Sequence, residues 1–482
     1  MRSSYATSQA VRSWWVHIRC SNLGAPKRRD ERTRVGPYSR QTFDKKRKKM
    51  RIAVLGLGYL GATHAACMAE LGHEVLGIEK QADKRELLAR GEVPFYEPGL
   101  QPLIKKNIDD GRLAVSGSLS DAAEHADVFF IAVGTPQKKG EYGADLKYVD
   151  TAVEELVPLL TRDALILGKS TVPVGTARRL ADTCSELAKD VLVELAWNPE
   201  FLREGYAVQD TLEPDRIVVG RFDGGGAEEI VREVYAPILN SGTPLIVTDP
   251  STAELVKVSA NAFLATKISF INAISEICEA AGGNVADVAD AIGYDVRIGR
   301  RFLNAGLGFG GGCLPKDIRA FMARAGELGA PDALAFLREV DNVNMRRRTR
   351  MVDIARKACG GSLLGKRVGI LGAAFKPESD DVRDSPALNV AGQIQLQGAS
   401  VTVYDPKAIE NSRKIFPTLD YADNAIEACI SSDVTLVLTE WSEFSRIDPK
   451  ELGKVVRQKK VVDGRLFLDR AAWTAAGWEY HV

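Results

Sequence analysis

Residues 51–61 read Arg-Ile-Ala-Val-Leu-Gly-Leu-Gly-Tyr-Leu-Gly (RIAVLGLGYLG), and the reading of this stretch decides the fold. Arg51–Leu55 is a short apolar run of strand type. Gly56, Gly58 and Gly61 follow at once in GxGxxG spacing, and a helical pattern continues to about Leu71. His73–Glu79 (HEVLGIE) is then a second strand that ends in an acid. GxGxxG alone is a weak signal. Between a strand and a helix, with an acid about 20 residues on, it marks a dinucleotide-binding unit. Its glycines permit the tight turn and bring a pyrophosphate onto the helix N-terminus. Glu79 would hold the ribose hydroxyls and its charge would repel a 2′-phosphate. NAD is therefore expected over NADP, with Lys80 and Lys84 acting against that preference.

The alternation continues along the chain. Val128–Val133 runs into GTP, Ala164–Leu167 into GKSTVPVGT, and Val191–Val193 stands shortly before WNPEF. These polar segments follow strand ends, where open α/β sheets bind ligands. Residues 251–281 form a long helical pattern with Ser251 as expected N-cap, Glu254 three residues on, and Gly282-Gly283 as its end. Apolar residues surround most of it, which predicts burial between domains or subunits. A second cycle begins near Gly365: Lys366–Leu371, Ser400–Tyr404, Val434–Leu438 and Lys460–Val462 each precede a polar segment. It lacks a full GxGxxG, so its ligand is expected to be something other than a second dinucleotide. The expected fold is α/β: two Rossmann-like doubly wound parallel-sheet domains joined by a long central helix and a helical middle domain. Expected bounds are 50–245 for the NAD-binding domain, 246–350 for the central dimerisation domain and 351–482 for the second sheet.

Composition narrows the function. Residues 1–49 hold 14 Lys/Arg against 3 Asp/Glu within a chain of zero net charge, leaving −11 on the rest. That balance argues against nucleic acid as partner of the folded part. The first 49 residues lack periodicity and read as a basic, disordered or non-native extension outside the fold, whether a basic arm, a transit peptide, or a translated upstream or vector-derived stretch. No apolar run approaches the ~18 residues of a membrane span. The seven cysteines are scattered without CxxC pairs, which suits a reducing cytoplasm and supports neither a disulfide framework nor a metal site. No histidine lies between residues 126 and 480, so chemistry there must use carboxylates, lysines, a thiol or water.

Gly308–Asp317 reads GFGGGCLPKD. A helix starting near Leu314-Pro315 would place Cys313 at its N-terminus, where the dipole favours a thiolate, with Asp317 about one turn on. A buried cysteine beside a tight turn is the bland alternative.

Nine motifs occur in order: GLGYLG, VGTP (133–136), KSTVPVGT (169–176), NPEFLREG (198–205), AELVKVSANAFLATKISFIN (253–272), RIG (297–299), GFGGGCLPKD, FKPESDDVRDSPAL (375–388) and DGR (463–465). Over residues 50–470 the chain resembles the UDP-glucose/GDP-mannose dehydrogenase family. The resemblance implies a four-electron oxidation in which a nucleotide sugar's C6 alcohol becomes a carboxylate, using two NAD and one water. It assigns the nucleophile to Cys313, proton handling through water to Asp317, stabilisation of the C6 alkoxide and oxyanion to Lys257 and Asn261, and the hydrolytic water to Glu200 and Thr171. Each has a plainer reading: a solvated helix charge for Lys257, a polar helix residue for Asn261, a cap for Glu200.

By the same resemblance, Gly56, Gly58, Tyr59, Leu60, Gly61, Glu79, Lys84, Thr135, Thr171, Glu204 and Arg383 would contact NAD. Phe201, Leu202, Lys257, Asn261, Asn304, Gly310, Phe375, Lys376 and Arg465 would contact the sugar nucleotide, and Arg297 would reach the site of a neighbouring subunit, implying a homodimer. Residues 201–208 and 302–310 are most similar to the UDP-glucose branch. A UDP-sugar is thus the expected partner, with GDP-mannose, UDP-N-acetylmannosamine and dTDP-glucose as alternatives. From other classes, a regulator that binds the sugar nucleotide without turnover would have lost Cys313, Lys257 or Asp317, and a two-electron hydroxyacid dehydrogenase would not need Cys313. Departures from the family pattern are Glu79 in place of the commoner aspartate, Ala373-Ala374 and Glu378 at a strand end, and Leu466 after DGR.

Overall fold

In a computed structural model that describes residues 49–482, Arg51–Leu55 is strand β1, its last four residues buried. The expectation for residues 1–49 lies outside the described residues except for Lys49. β1 leads a sheet with β2 (Glu74–Ile78), β3 (Leu113–Ser116), β4 (Val128–Ile131), β5 (Ala164–Gly168), β6 (Val193–Trp197), β7 (Ile217–Gly220) and β8 (Leu245–Thr248). The spatial order is β3-β2-β1-β4-β5-β6-β7-β8. The first six strands pair in parallel, and β7 meets β6 antiparallel where Trp197 faces Gly220. Ile52 and Val54 pack into one core layer and Ala53 and Leu55 into another, so β1 is buried on both faces. Strand order reverses between β1 and β4, which puts a crevice at their carboxyl ends.

Helix α1 (Tyr59–Glu70) follows β1, α2 (Ala82–Ala89) follows β2, and α3 (Thr176–Leu187) and α4 (Ala207–Leu212) follow β5 and β6. The N-caps of α3 and α4, Gly175 and Tyr206, supply no side-chain cap. Distant carboxylates take their place: Glu254 accepts from the Gly175 and Ala177 amides at 2.7 Å, and Glu97 from Gly205 and Ala207 at 2.6 and 2.7 Å. Orphan donors at helix starts need acceptors, and here tertiary structure provides them. Glu194 likewise accepts from Gly226 and Ala227. That explains why the strand expected at 191–193 is displaced to 193–197. An acid two residues into β6 reads as a strand end, yet its carboxylate serves a neighbouring helix.

The long helix α5 spans Pro250–Ala281 and ends at Gly282 in a left-handed conformation. Asp249, not Ser251, caps it: Asp249 accepts from the Thr252 amide and Pro250 opens the first turn. Glu254, the other half of the expected capping box, is the buried acceptor for α3. Helices α6 (Leu314–Glu327) and α7 (Phe336–Ala358) pack on α5, and α7 runs unbroken past residue 350.

The second sheet comprises β9 (Arg367–Leu371), β10 (Ser400–Tyr404), β11 (Asp420–Tyr421), β12 (Val434–Val437), β13 (Lys460–Asp463) and β14 (Glu479–His481), with α8 (Pro386–Leu396) after β9. Its order, β11-β10-β9-β12-β13-β14, repeats the first six strands of the first sheet, all in parallel. Asp405, buried at the end of β10, accepts from the Ala373 and Ala374 amides and from the Trp441 indole. The turn after β9 thus has its amides satisfied by the chain's own acid.

Candidate active site

The turn between β1 and α1 is built for a phosphate group. Gly56 sits at φ +87°, and a Cβ on Gly61 would lie 1.8 Å from the Gly56 carbonyl oxygen. Gly58 precedes the first helical residue, Tyr59, and no side chain caps α1. Leu60 packs into the core beside it. Glu79 is buried just past β2, where one carboxylate oxygen accepts from the Gln81 amide. Lys84 lies on α2, half-buried. Thr135 donates its hydroxyl to the Thr171 carbonyl at 2.8 Å, tying the loop after β4 to the loop after β5. An uncapped helix N-terminus and an acid at the end of β2 fit NAD: amides for the pyrophosphate, a carboxylate for a ribose.

Cys313 is the N-cap of α6, with Pro315 in the first turn, as the spacing predicts. Residue 313 is open to solvent, while protein crowds its sulfur on the other sides. Crowding decides its acidity. Burial pushes the thiol up to about 12, the Asp317 charge adds to this, and Lys257 opposes it. The thiolate expected from the helix dipole is therefore not the resting form; desolvation and a carboxylate one turn away outweigh the dipole. Asp317 is buried. It accepts from Asn261 Nδ2 at 2.7 Å on one oxygen and from Lys316 Nζ at 2.5 Å on the other.

Lys257 and Asn261 share one face of α5, four residues apart, and both are buried. Lys257 Nζ lies 2.9 Å from Glu200 Oε1. Burial alone would lower Lys257, but the charges of Glu200, Cys313 and Asp317 raise it above its ordinary value. Glu200 Oε2 accepts from the Leu202 amide at 2.6 Å. Phe201 places its ring 5.7 Å from Lys257 Nζ and carries the Arg216 guanidinium on its face at 3.7 Å. Thr171, Val258, Lys316 and Asp317 line one small pocket, which brings Thr171 to the same group.

The second sheet closes over this cluster. A Cβ on Gly312 would lie 2.3 Å from Arg383 Cζ, so only glycine lets that guanidinium lie beside Cys313. Gly310 abuts the Asp384 carbonyl, and Gly311 abuts the Phe375 ring. Arg383 is held by both oxygens of Asp381 and by Glu204, and Ser379 also donates to Glu204. Burial and the neighbouring Asp381 charge push Glu204 up to about 7. Gly205, next in chain, donates to the Tyr59 hydroxyl, so the NPEFLREG loop touches both the dinucleotide turn and the second sheet. Lys376 is lowered by burial, against the charges of Glu204, Cys313 and Glu97. Arg465 donates to the carbonyls of Leu438, Gly308 and Phe375, stitching the glycine run to the second sheet.

Two expected contacts stand apart in this single chain. Asn304 is exposed and accepts from Arg300. Arg297 is exposed and paired with Asp295. Sequence reasoning overlooked Lys316 as the partner of Asp317, Arg216 against Phe201, and Lys169 with Asn198, which form a buried pair behind Glu200. The motif KSTVPVGT contains Lys169, but its spacing gave no sign that the side chain points inward.

Comparison with known proteins agrees with this geometry. Residues 50–239 match the NAD binding domain of the UDP-glucose/GDP-mannose dehydrogenase family, 251–346 its central domain, and 369–470 its UDP binding domain. A UDP-glucose 6-dehydrogenase of Rhizobium meliloti is 41% identical over 433 residues, covering 89% of this chain and 98% of the relative. UDP-glucose 6-dehydrogenase TuaD of Bacillus subtilis is 39% identical over 434 residues, covering 89% and 92%. The solved structure of a UDP-glucose dehydrogenase from Pyrobaculum islandicum superposes with a TM-score of 0.82 at 37% identity, covering 90% of this chain and 96% of that one. With all three of its domains matched in order, the chain belongs to the UDP-glucose/GDP-mannose dehydrogenase family.

Proposed function

We propose that this protein is an NAD-dependent UDP-glucose 6-dehydrogenase that oxidises the C6 alcohol of UDP-glucose to the carboxylate through a covalent bond to Cys313. The observation that carries the mechanism is the convergence near one cysteine of Lys257 and Asn261 from one face of α5, Asp317 from α6 and Glu200 from the loop after β6. NAD, when bound, accepts hydride from C6 in each of the two oxidations. Gly56, Gly58, Tyr59, Leu60 and Gly61 would hold its pyrophosphate, Glu79 and Lys84 its adenosine end, and Thr135, Thr171, Glu204 and Arg383 its other half.

The chain's own groups do the rest. An aldehyde has no good hydride to give until it is tetrahedral, so Cys313 sulfur adds to C6 and forms a thiohemiacetal. A thiol raised to about 12 needs a base as the carbon–sulfur bond forms. Asp317, oriented by Asn261, takes that proton through water. Lys257 and Asn261 hold the negative charge that develops on the C6 oxygen. Oxidation of the adduct gives a thioester, which water cleaves beside Glu200. Phe201, Leu202, Asn304, Gly310, Phe375, Lys376 and Arg465 would hold the UDP-sugar, its diphosphate favouring the lysine and arginine.

We further infer a homodimer. On α5 the exposed apolar residues Phe263, Phe270 and Ile277 recur every seven positions, and Tyr294 and Val296, 88% and 96% exposed, stand beside Arg297. Such a stripe calls for a partner, and a second copy would let Arg297 enter a neighbouring site. Among the described residues no helix is long and apolar enough to cross a membrane. The six described cysteines are free thiols, which supports a cytoplasmic location.

The test is NADH counted per sugar over a panel of UDP-, dTDP- and GDP-sugars. Two NADH per UDP-glucose, with UDP-glucuronate as product, is expected. One NADH per sugar, or preference for GDP-mannose, would overturn the reading.

A further inference from the structure

Near Glu200 lies a buried cluster of polar side chains that the reaction as described does not use. Lys169 follows β5 and is 7% exposed. Its Nζ donates to Asn198 Oδ1 at 3.1 Å. Its other faces meet the rings of Phe130 and Tyr235, at 5.9 and 5.8 Å from their centroids. No carboxylate lies within ion-pair distance of it among the described residues, an expensive arrangement for an ammonium. Burial lowers Lys169 to about 8, while Glu200 raises it and Lys257 lowers it further. His64 on α1 is also near. Both its ring nitrogens are buried without a partner, and burial, then Lys169, hold it well below the ordinary histidine value.

Asn198 is clamped from every side. Its Oδ1 also accepts from the Tyr235 hydroxyl at 2.7 Å, its Nδ2 donates to the Val218 carbonyl at 2.7 Å, and its backbone amide donates to the Gly168 carbonyl at 2.8 Å. Only rigid Pro199 separates it from Glu200. A buried cation with no carboxylate in direct contact among the described residues is retained here at a cost that the Glu200 charge offsets only in part, and the group it grips sits two residues from the carboxylate facing Lys257.

We propose that Lys169 is a positioning residue for thioester cleavage: through Asn198 and Pro199 it fixes the Glu200 carboxylate where water meets the Cys313 acyl group. This rests on the covalent reading above. In that step the water oxygen bonds to the acyl carbon and the carbon–sulfur bond breaks with its electron pair left on sulfur. One proton of the water returns to sulfur and the other leaves through Glu200 to solvent, giving the carboxylate. Glu200 acts only if it is held at hydrogen-bond distance from that water, and Asn198 sets its place.

The experiment compares wild type, Lys169→Met, Tyr235→Phe and Cys313→Ser in single turnovers with UDP-glucose and excess NAD. NADH is followed by stopped flow and the Cys313 adduct by acid quench and intact mass. In Lys169→Met, cleavage should slow about tenfold or more, as small misplacements do, so that acyl-enzyme accumulates while NADH formation changes by less than about threefold. Tyr235→Phe, which removes only a hydroxyl from the same acceptor, should shift the ratio the same way by less. Cleavage at the wild-type rate, or equal slowing of oxidation and cleavage, would overturn the proposal. Should Lys169→Met fail to fold, unchanged cleavage in Tyr235→Phe would overturn it alone. If wild type never carries an adduct that Cys313→Ser lacks, the covalent reading falls, and this inference with it.

Discussion

Lys257→Met breaks a buried ion pair from one side. The lysine and Glu200 side chains are 6% and 12% exposed, and their charged atoms are 2.9 Å apart. With methionine in place, Glu200 retains the Leu202 amide on one oxygen and loses its cation on the other. Removing one member of a buried pair costs about 3–5 kcal/mol, because the remaining charge is left without compensation, whereas removing both is close to neutral. Lys257→Met should therefore lose on the order of 3–5 kcal/mol in urea unfolding, read from tryptophan fluorescence. Adding Glu200→Gln should recover most of that loss. Activity should not follow. An oxyanion donor contributes about 10²–10³ in kcat, so turnover should collapse in the single variant and stay collapsed in the double. A single variant as stable as wild type, or a double variant that regains turnover with its stability, would refute the reasoning.

Three further outcomes are expected. Glu254 is pushed up to about 7 by burial, above the ~4.3 of an unfolded chain. Its contribution to stability is complete below the lower value and is lost as pH rises through the higher one, on the order of 3 kcal/mol in all; Glu254→Gln should flatten this slope in urea titrations from pH 4 to 8, and an unchanged slope would place its origin elsewhere. Because the Cys313 thiol is raised to about 12, its alkylation by iodoacetamide, followed by peptide mass, should still be accelerating at pH 10; a plateau below pH 8 would contradict the desolvation argument. In Gly312→Ala the new methyl would meet the Arg383 guanidinium at 2.3–2.6 Å. Turnover should fall about tenfold or more from misplacement beside Cys313, checked by steady-state NADH release with urea unfolding alongside.

What could be read from the residues was what is local. A strand, a glycine turn and a helix within twenty residues are dictated by backbone sterics, and Arg51–Gly61 folds as it reads. Cys313 at a helix start was legible because Pro315 tolerates few other places. Misreadings arose where a polar side chain serves a distant element. Glu194 interrupts β6 on paper because its partner helix begins more than thirty residues later, and Glu254 resembled half of a local cap while satisfying α3. The ionisation of Cys313 was misjudged for the same reason: the dipole is visible in the chain, but the crowding and the approach of Asp317 are products of folding. The grip of Arg383 on Glu204, across 179 residues of sequence, has no local signature at all.

Asp405 carries a consequence for the order of events. By accepting from the Ala373 and Ala374 amides, it takes up N–H groups of the kind that the first sheet's turn leaves free for a pyrophosphate, and the second sheet matches a UDP binding domain instead, so the proposed reaction has one dinucleotide turn for two successive oxidations. On the proposed reaction, a first reduced cofactor would have to leave and a second NAD enter while a half-oxidised sugar waits. A sugar gripped only by weak contacts would escape during that exchange as a reactive aldehyde; one anchored to sulfur stays. Retention across that exchange is what a duplicated fold with a single dinucleotide turn would demand of the proposed reaction.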